Sequence, residues 1–117
     1  MDEFKITKGD RATIPYRLND VDNLNGYSFI WTLSAEEDGA PLLTKTSGIG
    51  GIIHDIALKN IDVNLEVADF DYSSTIEPGT YYCQLIAIYD DGISGEFPRT
   101  IDKRAVIVTH SQYYKHL

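Results

Sequence analysis

The chain has 117 residues, of which 43% are hydrophobic, and its 10 Lys and Arg against 18 Asp and Glu give a formal charge of −8. This length and composition are typical of one soluble globular domain. The negative charge argues against nucleic acid as a partner, because phosphate contacts need Lys or Arg. Cys83 is the only cysteine, which excludes an internal disulfide. No apolar run approaches the roughly 20 residues that cross a bilayer and no export signal is recognisable, so we expect no membrane partner.

Alternation of apolar and polar residues predicts an all-β protein. In the first two thirds of the chain, the predicted strands lie at residues 4–6, 12–18, 27–34, 41–46, 52–58 and 61–67. Because proline cannot donate to a β-ladder, Pro15 predicts that the strand at 12–18 is an edge strand or is bulged. The strand at 61–67 alternates strictly, with the apolar residues Ile61, Val63, Leu65 and Val67 on one face. Its other face is polar and is therefore expected to be exposed to solvent.

The last third of the chain continues the pattern. Residues 80–89 are apolar on both faces, as is typical of a central strand, and residues 104–109 form the last predicted strand. Residues 68–74 are expected to form a single helical turn. Turns are predicted from Gly and Asx chemistry at residues 19–26, 36–39, 48–51, 78–79 and 90–92.

About seven short strands in a chain of this length predict a two-sheet antiparallel sandwich of immunoglobulin type, with a small barrel as the alternative. Trp31 lies in a strand where such folds keep a core tryptophan. Residues 78–83 resemble the tyrosine corner of these folds, in which Tyr81 would hold the hydrogen-bonding position two residues before Cys83. The residues predicted to meet in the core are Ile14, Trp31, Val63, Leu65, Tyr81, Cys83 and Leu85.

Several segments resemble a group of small immunoglobulin-like domains in structural proteins of tailed bacteriophages, among them the N-terminal domain of the baseplate upper protein. Their opening strand and Gly-Asp turn resemble residues 4–13, and their Trp-bearing strand with the turn before it resembles residues 20–33. Their Pro-Gly corner resembles residues 77–85, and the following hairpin resembles residues 90–92.

The resemblance implies a non-enzymatic structural module of a phage or prophage virion, in the tail, baseplate, neck or capsid. Such a protein is made in the host cytoplasm, located in the virion, and bound to other virion proteins in a symmetric assembly. The domain is predicted at residues 1–109, with a C-terminal tail at 110–117. In this tail Tyr113 and Tyr114 are the predicted partner-binding residues, because tyrosine is frequent among interface anchors.

Candidate chemistry is sparse along the chain. Residues 20–26 are rich in Asx oxygens but do not have EF-hand spacing, so we expect a hydrogen-bonded turn there in place of a calcium site. The acidic cluster at 36–38 is expected to be a solvated hairpin tip. Other groups considered, and assigned no metal or catalytic role, are His54, His110 and His116 for zinc, Ser94 as a nucleophile, and Asp69 with Asp71 as a carboxylate pair. We therefore predict no enzyme, no cofactor and no metal.

Charge is unevenly distributed along the chain. Residues 20–96 carry 2 basic and 14 acidic side chains, net −12, whereas residues 1–19 sum to +1 and residues 97–117 to +3. Opposed charge of this kind would suit contacts between neighbouring subunits, although scattered surface charge is an equally ordinary explanation.

A free-standing β-sandwich domain that binds a carbohydrate or a peptide is the alternative function, since such folds carry binding sites on loops or on a sheet face. Exposed aromatic residues would favour it, and the candidates are Tyr72, Tyr82 and Tyr89.

Overall fold

The computed structural model describes residues 3–8, 11–66, 69 and 76–110. The fold is all-β, as the alternation predicted. Its strands, in chain order, are β1 (Phe4–Lys8), β2 (Ala12–Arg17), β3 (Tyr27–Ser34), β4 (Pro41–Ser47), β5 (Gly51–Asp55), β6 (Asn60–Leu65), β7 (Gly79–Asp90) and β8 (Glu96–His110). A short 3₁₀ turn, Gly48–Gly50, separates β4 from β5. The described residues include no helix that is long and apolar enough to cross a membrane.

The eight strands form one mixed sheet, nearly closed into a barrel, in the order β1-β8-β7-β3-β4-β5-β6-β2. This corrects the prediction of two purely antiparallel sheets, because β1 pairs with β8 and β4 pairs with β5 in parallel. The β4–β5 pairing consists only of Thr46 with Gly51 and Ser47 with Ile52. It joins a five-strand group to the group formed by β5, β6 and β2.

Two glycines, at the end of the 3₁₀ turn and at the start of β5, make this junction possible. Gly51 has a φ of 102°, in the left-handed region that side chains rarely adopt, so β5 can start beside β4 and run in the same direction. A Cβ atom at Gly50 would collide with the side chain of Thr46.

The core lies between the inward faces of the strands. Its members include all seven residues predicted to meet there, with Tyr81 partly buried and the other six buried. The residues of β2 alternate as predicted, with Ile14 and Tyr16 buried. The fully buried large side chains are Trp31, Phe29, Leu24, Leu33, Ile52, Ile61, Leu65, Leu85, Val63, Val106 and Val108.

The edge and central strands also agree with the sequence. The strand that contains Pro15, β2, lies at one end of the sheet order, and β7 pairs with both β3 and β8. In contrast, β8 begins at Glu96, well before the predicted start at residue 104, and the predicted strand at 52–58 ends at Asp55 in a turn. Val67 and most of the predicted helical turn lie outside the described residues.

Candidate docking site

Three connecting segments meet at one end of the barrel. These are the β2–β3 loop (residues 18–26), the β5–β6 turn (56–59) and the β7–β8 turn (91–95). The backbone N–H of Leu24 donates to the carbonyl of Ile56 at 3.1 Å, and that of Asp90 donates to Gly26 at 2.9 Å. The β2–β3 loop thus lies between the other two turns. We call the surface formed by residues 18–26, 56–59 and 89–97 the loop end.

Large apolar side chains are exposed on the loop end. Leu58 is 59% exposed, Phe97 is 52% exposed and Ile93 is 91% exposed, and Ile56 and Tyr89 are also exposed. Single exposed apolar residues are common on protein surfaces. Several of them on adjoining segments, beside a fully covered core, are characteristic of an interaction surface.

The β7–β8 turn holds Ile93 in a defined position. The Oδ1 atom of Asp91 accepts hydrogen bonds from the backbone N–H groups of Ser94 (2.7 Å) and Ile93 (2.8 Å), and Asp90 accepts one from Gly92. These bonds stabilise the carboxylate and lower the pKa of Asp91 below its ordinary value. The turn predicted from Asx chemistry is confirmed, and its order limits the entropy that Ile93 would lose on binding.

The β2–β3 loop is the segment examined above for calcium. Asp20 forms a double hydrogen bond with the guanidinium of Arg99, at 2.7 and 3.1 Å, and this contact lowers the pKa of Asp20. Asn23 accepts a hydrogen bond from the backbone N–H of Asn25, which is the predicted Asx turn. In the part of the chain that the structure describes, no three His, Cys, Asp or Glu side chains gather as a ligand set.

A separate groove lies on the outer face of β3, β7 and β8, towards the other end of the barrel. Its volume is about 190 Å³, and its lining includes Thr32, Tyr82, Gln84 and Lys103 with the β3–β4 loop. Lys103 closes one side through an ion pair with Asp38 at 2.8 Å, which raises the pKa of the lysine.

The interior contains a polar cluster that the sequence did not reveal. The indole Nε1 of Trp31 donates to the Tyr16 hydroxyl at 3.2 Å, and that oxygen lies 3.9 Å from the sulfur of Cys83. Burial raises the pKa of both Tyr16 and Cys83, so the protonated thiol is favoured at neutral pH. Arg104 pairs with Asp102 at 2.6 Å and stacks 4.1 Å above the Phe4 ring.

The structure brings only some of the predicted candidates together. Tyr82 lines the groove, and Tyr89 packs against Tyr27 at 5.0 Å in the loop end. His54 packs against the Phe29 ring at 5.1 Å. Tyr113, Tyr114, Tyr72, Asp71 and His116 lie outside the described residues, as does the side chain of His110. The exposure of Ile93 and Phe97 was not predicted, because alternation does not indicate which apolar residues of a hairpin remain uncovered.

Comparison with protein-family models finds no match for this sequence, and comparison with curated proteins finds no relative.

Proposed function

We propose that this chain is a non-enzymatic structural module of a phage or prophage virion that docks through its loop end onto neighbouring virion proteins. The observation that carries the proposal is the exposure of Ile93 and Phe97 on a hairpin whose turn is fixed by hydrogen bonds. The virion as location, and a symmetric assembly as context, rest on the resemblance of residues 4–13, 20–33, 77–85 and 90–92 to phage domains.

The proposal includes an immunoglobulin-like arrangement of the strands. The two-pair junction between β4 and β5 separates the groups β1-β8-β7-β3-β4 and β5-β6-β2 of the one sheet, and both groups contribute side chains to the same core. The Tyr81 hydroxyl donates to the carbonyl of Glu77 at 2.6 Å, the contact expected of a tyrosine corner. Trp31 is fully buried between the groups. These features support the sandwich description over that of a simple barrel.

The charge of the loop end indicates the chemistry of the partner. Its one basic residue is Lys59, and its acidic residues are Asp20, Asp22, Asp90, Asp91 and Glu96. Asp20 is paired with Arg99, which lies just outside the loop end. A partner with an apolar pocket for Ile93 and Phe97 and a basic rim would therefore be complementary.

The test is incorporation into particles. In the phage that encodes the chain, Ile93→Ser combined with Phe97→Ala should reduce the amount of this protein in purified virions, while the isolated variant keeps its melting temperature. Leu42→Ser is the matched control, because Leu42 is also exposed but lies on β4, away from the loop end. Incorporation that is unchanged in the double variant would overturn docking through the loop end.

The tail is a second proposed docking element. Deletion of residues 111–117 removes Tyr113 and Tyr114, and we expect the domain to fold but to enter particles less efficiently. If incorporation is normal after this deletion and falls with the loop-end variant, docking depends on the loop end alone.

The alternative, a domain that binds a carbohydrate or a peptide, is favoured by one feature, the groove beside Tyr82. The groove and the loop end do not share lining residues, so the two functions can be tested separately.

A further inference from the structure

The groove on β3, β7 and β8 contains hydrogen-bonding groups that the protein itself does not use. Thr32 and Gln84 are cross-strand partners, Gln84 is also opposite Lys103, and the buried neighbours Leu33 and Cys83 place these side chains on the outer face. Within the described residues, neither the Thr32 hydroxyl nor the Gln84 amide makes a side-chain hydrogen bond. Together they offer donors and acceptors to a ligand.

The wall of the groove is built by the β3–β4 loop. The Ser34 hydroxyl donates to the carbonyl of Glu36 at 2.7 Å, and the same carbonyl accepts the N–H of Gly39 at 2.9 Å. Asp38 adopts a left-handed φ of 60°, and its carboxylate reaches Lys103 across the groove. Contacts within the chain therefore fix the wall of the groove, which lowers the cost of binding.

We propose that this groove binds a single neutral sugar ring. Hydroxyl groups on a ring both donate and accept, which matches the mixed set of Thr32, Gln84 and Asp38, and Tyr82 adds aromatic surface for the apolar face of the ring. Asp38 and Lys103 neutralise each other, the lining residue Arg104 is paired with Asp102, Glu37 adds a negative charge, and the chain carries −8, so the groove disfavours anionic ligands. The volume of about 190 Å³ is below the roughly 300 Å³ of sites for drug-sized ligands, which suits one small ring.

The position of the groove also distinguishes a sugar from an extended peptide. Peptides that add to a sheet bind at a free edge through backbone hydrogen bonds. The groove instead lies over β7, whose backbone pairs with β3 on one side and with β8 on the other. An occupant therefore cannot extend the ladder of β7 as a further strand, and this inference does not depend on the docking function.

The test is titration of the isotope-labelled full chain with glucose, galactose, mannose and N-acetylglucosamine, each at millimolar concentration, followed by amide NMR. At least one sugar should shift the side-chain amide of Gln84 and the backbone amides of Thr32 and Gly39. Loss of one neutral hydrogen bond corresponds to roughly 3- to 10-fold weaker binding, which we expect for Gln84→Ala. Tyr82→Ala should weaken binding, and Tyr82→Phe should retain most of it because the ring remains.

Thr44→Ala is the matched control, because Thr44 pairs with Thr32 on the next strand but does not line the groove. A spectrum that retains its dispersion shows that each variant is folded. Three results would overturn the proposal: no shift with any of the four sugars, shifts confined to residues outside the groove, or equal shifts with glycerol. If Gln84→Ala weakens sugar binding while virion incorporation is unchanged, the groove and the docking function are separate.

Discussion

Tyr81 and Tyr82 are adjacent in the sequence but have different roles. The Tyr81 hydroxyl donates to the Glu77 carbonyl at 2.6 Å, whereas the described residues provide no hydrogen bond to the Tyr82 hydroxyl. Tyr81→Phe should therefore lower the free energy of unfolding by about 0.5–1.5 kcal/mol, the usual net value of one hydrogen bond. Tyr82→Phe should lower the free energy of unfolding by a smaller amount. Denaturant unfolding of the two variants checks this, and equal losses would mean that the corner bond does not contribute to stability.

Trp31 is the largest fully buried side chain and donates to the Tyr16 hydroxyl. Trp31→Ala removes both the packing and this hydrogen bond. We therefore expect the free energy of unfolding to fall by about 3–5 kcal/mol, which is a large share of the stability of a small domain. Trp31→Phe keeps an aromatic ring and should unfold measurably earlier than the wild type without abolishing the fold. A Trp31→Ala protein that melts at the wild-type temperature would contradict the buried position.

At the scale of the elements, the β7–β8 turn makes a pH-dependent contribution. The folded-state pKa of Asp91 lies below its ordinary value of 3.8, first because of the Ser94 N–H bond and then because of the Ile93 one. The charged form is therefore favoured by folding, so the contribution is complete above pH 3.8 and is lost as pH falls through the folded-state pKa.

Asp91→Asn should consequently melt below the wild type at neutral pH, and the difference should shrink at about pH 3, where the carboxyl is largely protonated in the unfolded chain. Asp62→Asn is the control, because no side-chain hydrogen bond from the described residues reaches the Asp62 carboxylate. If the difference in melting temperature between Asp91→Asn and the wild type is the same at both pH values, the stability of the turn does not depend on the charge of Asp91.

The strands also show what sequence can and cannot predict. Alternation located β2, β3 and β6 because each has one buried face. It missed the first half of β8, since Arg99, Asp102 and Lys103 do not form an apolar face, and this segment is paired because the hairpin with β7 imposes its register. The side chains of Asp102 and Arg104 lie on the inward face of β8, where they neutralise each other in an ion pair.

The candidate sites were less predictable for a related reason. The turn chemistry of residues 90–92 indicated a hairpin, but whether Ile93 is covered depends on chain segments distant in sequence. The groove requires the β3–β4 loop to reach Lys103, which is 65 residues from Asp38. No local pattern encodes such a contact.

At the scale of the whole molecule, part of the charge asymmetry is used within the chain. Arg99 from the basic segment 97–117 pairs with Asp20, Lys103 pairs with Asp38, and Arg11 lies 3.6 Å from Glu66. These contacts connect β8 and the start of β2 to acidic segments of the same chain. Of the acidic side chains outside these pairs, Asp22, Asp90, Asp91 and Glu96 lie at the loop end, where the proposed docking would place a basic partner.

The parallel pairing of β1 with β8 has a mechanical consequence. The register runs from Phe4 with Val106 to Lys8 with His110, so the chain enters β1 at one end of the shared ladder and leaves β8 at the other. A pulling force applied at Phe4 and His110 acts along the strands in opposite directions and loads the hydrogen bonds of the ladder in shear. They must break together, whereas a force that peels strands apart breaks them one at a time. Tension between the two ends of the domain is thus resisted by the strand pair to which those ends belong.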